Sequence, residues 1–116
     1  MIRISILLLL ITTSFFESNA QYITEGPLFK KITSDSTIVF LRVPNHQFVT
    51  MEISTDSVFS SSAWFETNLL ELKMFSVDLS LDRLKPNTKY FYRFYADELL
   101  DSLRGSFQTL REKEKP

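Results

Sequence analysis

From Gln21 onward no stretch of this chain sustains a long helical apolar stripe. Short β-branched and aromatic runs recur instead, separated by polar turn residues. Gln47 to Ser54 shows the pattern most cleanly: Val49, Met51 and Ile53 fall on one face, Thr50, Glu52 and Ser54 on the other. Lys73 to Ser80 alternates in the same way, with Phe75, Val77 and Leu79 inward. Lys89 to Ala96 is an aromatic strand, Tyr90-Phe91-Tyr92-Arg93-Phe94-Tyr95. Tyr22 to Ile32 reads as a first extended segment that Pro27 consigns to an edge. Thr37 to Val43 follows Asp35-Ser36 and ends at Pro44-Asn45-His46. Ser60 to Thr67 is a short edge strand carrying Trp64 and Phe65, and Gly105 to Leu110 is the last strand, with Phe107 inward. Asn68 to Lys73 fits neither period well and is left ambiguous, a single helical turn before the next strand being one reading. About seven strands at this spacing predict an all-β, immunoglobulin-like sandwich of two sheets.

The remainder of the sequence narrows what such a sandwich can do. The chain has 116 residues, 44% apolar and 23% charged, which suits one globular domain. Its net charge of −1 gives no electrostatic reason to bind nucleic acid or an anionic membrane. There is no cysteine, so disulfides and thiolate metal sites are excluded. Only Gly26 and Gly105 are glycines, each expected where the backbone requires one.

Residues 1–20 have the layout of a secretory signal peptide: Arg3 near the start, an Ile/Leu run, then small residues. Cleavage is expected between Ala20 and Gln21, placing the mature chain in the periplasm, at the cell surface or outside the cell, with no membrane attachment afterwards. The apolar run falls short of the roughly 20 residues a membrane-spanning helix needs. The domain is then expected over 21–111, followed by a charged tail over 112–116.

Leu84-Lys85-Pro86-Asn87-Thr88-Lys89-Tyr90 resembles the L-x-P-x-T-x-Y corner of fibronectin type III domains. Leu84 would plug the end of the core, Pro86 would set the turn, and the Tyr90 hydroxyl would bond backbone upstream, with Thr88 as the remaining matched position. A narrower resemblance runs along Gly26-Pro27, Ile32 to Arg42, Val49 to Phe59, Phe75 to Leu79, Tyr90 to Phe94 and Gly105 to Thr109. These segments are similar to the N-terminal domain of exported metallophosphatases, the purple acid phosphatase and PhoD-like group. That family usually has Trp where Phe40 stands here. The resemblance implies a module that precedes a catalytic domain and holds none of its metal ligands.

The residues themselves point the same way. A two-metal phosphatase centre needs several histidines, and this chain has only His46, in a turn after Pro44. Asp35 and Asp56 read as turn residues. Ser60-Ser61-Ser62 has no nucleophile elbow and no accompanying base. No phosphate-cradling glycine loop is present. No catalytic residue, metal ligand or cofactor is therefore assigned.

Binding has better candidates. With Tyr90, Tyr92 and Phe94 inward, Phe91, Arg93 and Tyr95 face outward beside Phe48 and Thr50 of a neighbouring strand. This aromatic surface is a candidate docking face, for a metallophosphatase catalytic domain or a second copy of the chain, set against the commoner reading of it as scattered surface aromatics of the kind strands carry. Changing Phe91 and Tyr95 to Ser is expected to abolish association and leave folding intact. Thr37 to Val43 is apolar on both faces and calls for cover on both. Two other functions fit the sequence: the front of a longer phosphatase, or a free-standing adhesion or carbohydrate-binding sandwich with Trp64 and Phe65 as its stacking platform.

Overall fold

The computed structural model describes residues 20–69 and 73–112. The signal segment up to residue 19, the core of the ambiguous segment at 70–72 and the tail beyond 112 lie outside these described residues.

Alternating apolar residues become strands wherever a second sheet can cover the apolar face. Strands β1 (Glu25–Lys30), β2 (Thr37–Arg42) and β5 (Ser76–Leu81) form one antiparallel sheet in the order β1-β2-β5. Strands β4 (Ser62–Asn68), β3 (Phe48–Ser54), β6 (Lys89–Ala96) and β7 (Leu99–Gln108) form the other, in the order β4-β3-β6-β7. Val39, Leu41 and Val43 face Val49, Met51, Ile53, Tyr90, Tyr92, Phe94 and Phe107 across a core closed by Ile23, Leu69 and Leu84. Burying a side chain as large as Phe94 stabilises by about 1.5–3 kcal/mol.

The corner between β5 and β6 is built from the motif residues. Leu84 is buried, and the Tyr90 hydroxyl accepts a hydrogen bond from the Lys85 amide at 2.8 Å. The Thr88 hydroxyl donates to the Pro86 carbonyl, and the Thr88 amide donates to Thr109 Oγ1. Thr109 in turn donates to the Lys85 carbonyl at 2.6 Å, tying the corner to the end of β7.

Both glycines are constrained. Gly26 has φ +90 and precedes Pro27 across a cis bond, a conformation closed to most side chains. A Cβ on Gly105 would overlap the Tyr92 hydroxyl on the adjacent strand.

Three strands start three or more residues away from the sequence reading. β1 occupies only 25–30; before it the Tyr22 and Ile23 amides bond the Asp101 side chain and the Thr24 amide bonds the Arg42 carbonyl. A 3₁₀ turn at Lys73–Phe75 precedes β5, so that strand starts at Ser76. β7 begins at Leu99, six residues ahead of the expected Gly105. Between Leu100 and Arg104 its register shifts against β6, a bulge that erases the period-2 signal. Asp101 sits in that bulge, 1% exposed, where its Oδ2 accepts from the Tyr22 and Ile23 amides and its Oδ1 from the Leu103 amide.

Candidate functional site

The outward face of the four-stranded sheet collects the side chains that are neither core nor simply solvated. Register places Glu52 of β3 opposite Trp64 of β4 and Arg93 of β6. Phe48, Thr50, Phe91 and Tyr95 share this face and are half-buried.

Glu52 is the unexpected residue. Alternation assigns it to the solvent side, yet it is only 2% exposed. Arg93 Nε and the Tyr95 hydroxyl (3.0 Å) donate to its Oε1, and Ser62 Oγ donates to Oε2 at 2.6 Å. Burial pushes the Glu52 carboxyl up, but the Arg93, Ser62 and Tyr95 bonds together outweigh it and hold the group below the ordinary glutamate range. The bond to Glu52 raises Arg93, and burial followed by the Glu52 contact raises Tyr95. The network locks three strands' side chains in one arrangement.

Aromatic rings extend this network across the face. Phe59, in the loop before β4, stacks over the Arg93 guanidinium with Cζ 4.1 Å from the ring centroid. Its backbone is left-handed (φ 56), an uncommon state for so bulky a residue. Trp64 packs near Tyr95 at 5.7 Å between centroids, and Lys89 Nζ sits 5.0 Å over Phe91. Two shallow depressions result. One, of about 310 Å³, lies between Phe59, Phe91, Tyr92, Arg104 and Ser106. The other, of about 350 Å³, lies between Phe48, Thr50, Trp64, Glu66, Tyr95 and the Asp97-Glu98 turn.

Several residues singled out in the sequence fall elsewhere. Phe65 points inward against the core while Trp64 remains 55% exposed, so the two cannot form one stacking platform. Tyr95, not Phe65, is the ring beside Trp64. The Tyr95 hydroxyl supports a buried carboxylate, so Tyr95→Ser changes more than the surface. His46 hydrogen-bonds the Pro44 carbonyl through Nδ1 at 2.8 Å and packs edge-on against Tyr22, a half-buried turn residue. Ala20 and Gln21 lie at the start of the described chain, where the Ala20 carbonyl accepts from the Ser102 amide. On the three-stranded sheet, Ile38 and Phe40 are half-buried on the outer face, next to the Lys30–Asp78 ion pair.

Among the described residues no three His, Cys, Asp or Glu side chains come together as a metal site. Ser62 and Ser60 each bond a carboxylate, Glu52 and Asp56, but both acids are held in their ionised form as weak bases.

The chain matches no family model and no curated protein. Solved structures do match. The structure of PhoD superposes with a TM-score of 0.67 and 23% identity, over 84% of this chain and 21% of that one. A fibronectin type III domain from the human KIAA0970 protein superposes at 0.60 with 18% identity, over 91% and 86% of the two chains. This chain has the fibronectin type III fold. The sensor domain of the anti-sigma factor RsgI4 from Pseudobacteroides cellulosolvens shares it, at a TM-score of 0.62 and 17% identity, over 81% of this chain and 93% of that one. The chain thus spans about a fifth of PhoD's length and nearly the whole of the other two.

Proposed function

We propose that this chain is a non-catalytic accessory module that docks another protein through the outward face of its four-stranded sheet. The observation that carries the reading is the buried Glu52 network. A carboxylate, an arginine and a tyrosine hydroxyl are organised on a face where ordinary strands leave such groups hydrated. That organisation fixes Tyr95 next to a half-exposed Trp64, and rigid aromatic side chains beside satisfied polar groups are characteristic of binding surfaces.

A photoreactive benzoylphenylalanine at Trp64 or Leu100, on this face, is expected to cross-link a partner in the producing cell. The same group at Leu28, exposed on the other sheet, is expected not to. Equal cross-linking from both sheets, or none from Trp64 and Leu100, refutes the reading.

The likeness to PhoD favours a narrower form, in which the partner is the catalytic domain of a metal-dependent phosphatase. The intact mass of the native product, captured through this domain, tests whether such a domain is joined to it covalently. The signal-like start is in keeping with work outside the cytoplasm.

A further inference from the structure

Of the two depressions on the docking face, the one between β4 and the β6–β7 turn has an uneven composition. Its walls include the rings of Phe48, Trp64 and Tyr95 and the carboxylates of Glu66, Asp97 and Glu98; Thr50 completes it, and no Lys, Arg or His lines it. Two of the acids are held in place. Asp97 Oδ1 accepts from the Gln47 and Phe48 amides at 2.8 and 3.2 Å, and Glu66 Oε1 accepts from the Thr50 hydroxyl at 3.2 Å. The ion pairs formed among the described residues, Lys30–Asp78 and Arg93–Glu52, involve none of the three. Arg93, which shares this sheet face, is occupied by Glu52 and capped by Phe59.

We propose that this depression receives a cationic side chain, lysine or arginine, presented by the docking partner. The inference rests on the docking reading and names its anchor. The negative faces of indole and phenol attract a cation, and three carboxylates around them add to the same field. An uncharged apolar segment seated here would strip water from those carboxylates with no compensation. A sugar would need donors as well as acceptors for its hydroxyls, and beyond the Trp64 indole N–H the donors among the lining side chains are the Thr50 and Tyr95 hydroxyls, which already donate to Glu66 and Glu52.

Trp64 is the chain's only tryptophan, so its emission reads this site directly. The whole chain is titrated with tri-lysine amide, tri-arginine amide, triglycine amide and cellohexaose, following Trp64 fluorescence. A saturable change with the two cationic peptides, absent with triglycine, is expected. It should weaken about five-fold in the double variant E66Q/E98Q, whose exposed side chains carry no core packing. Raising sodium chloride should weaken it as well. No saturable response to either cationic peptide, or an undiminished one in E66Q/E98Q, overturns the proposal. A response to cellohexaose alone overturns it in favour of sugar binding. Cross-linking from Trp64 without peptide binding removes only the cationic anchor, whereas peptide binding without cross-linking removes the docking reading itself.

Discussion

At the scale of single residues, Glu52 carries the sharpest consequences. Its burial is tolerable only while its donors remain, so Arg93→Met leaves a buried carboxylate short of its charged partner. Breaking such a pair costs about 3–5 kcal/mol when fully buried. Arg93 retains 26% side-chain exposure, so water can enter and the lower end, about 3 kcal/mol, is expected from urea denaturation. The pH dependence follows from the sign of the shift. Glu52 is held below its unfolded value, so its contribution is complete above about pH 4.3 and is lost as pH falls through the folded value. Glu52→Gln should therefore flatten the acid limb of a stability–pH curve; an unchanged limb would place the acid sensitivity in other carboxylates. A second residue-scale test concerns Gly105. Gly105→Ala drives a methyl into the Tyr92 ring and hydroxyl and should cost about 1–3 kcal/mol. That penalty should shrink in a Tyr92→Phe background, which removes the closest atom. Equal penalties in the two backgrounds would mean that the strand, not the ring, gives way.

At the scale of elements, the legible parts of the sequence were those governed by local periodicity. β3 and β6 alternate without interruption, and their inward residues were readable one by one. β7 was half hidden, because the bulge at Asp101 brings a polar residue inward and shifts the faces. The composition of the outward face of the four-stranded sheet was readable for Phe48, Phe91 and Tyr95. Its centre was not, because Glu52 meets Arg93 across 41 residues and only the register of β3 on β6 brings them together. Period-2 reasoning places Glu52, Arg93 and Tyr95 on outward faces but cannot say that they touch. Asp101 is hidden in the sequence for the same reason, since its partners Tyr22 and Ile23 lie 79 and 78 residues earlier. Its role yields a prediction at this scale. Asp101→Ala leaves the Ile23 amide buried without an acceptor, at a cost of about 1–3 kcal/mol. Hydrogen exchange should accelerate at Tyr22 and Ile23 while β3 and β6 stay protected. Uniform acceleration would show instead that the N-terminal segment and the sheets open as one unit.

At the scale of the whole molecule, the same long separations dictate how the sandwich must assemble. Neither sheet closes by hairpins alone: β2 pairs with β5 across the intervening β3 and β4, and β3 pairs with β6 across β4 and β5. Core residues from both sheets form one cluster, so neither sheet has an apolar interior without the other. With no cysteine available, that shared core has to supply the stability a disulfide would otherwise add. Cooperative, slow folding follows. Leu41→Ala in the three-stranded sheet and Ile53→Ala in the four-stranded sheet should each cost about 2–5 kcal/mol. Each should lower a single transition, seen alike by circular dichroism and by tyrosine emission. Refolding should take milliseconds to seconds, as non-local β pairing demands. Microsecond refolding, or a Leu41→Ala transition that leaves the four-stranded sheet intact, would show that this sheet stands alone. In that event the proposed docking face would not depend on the sheet behind it, and the module's working unit would be smaller than the sandwich.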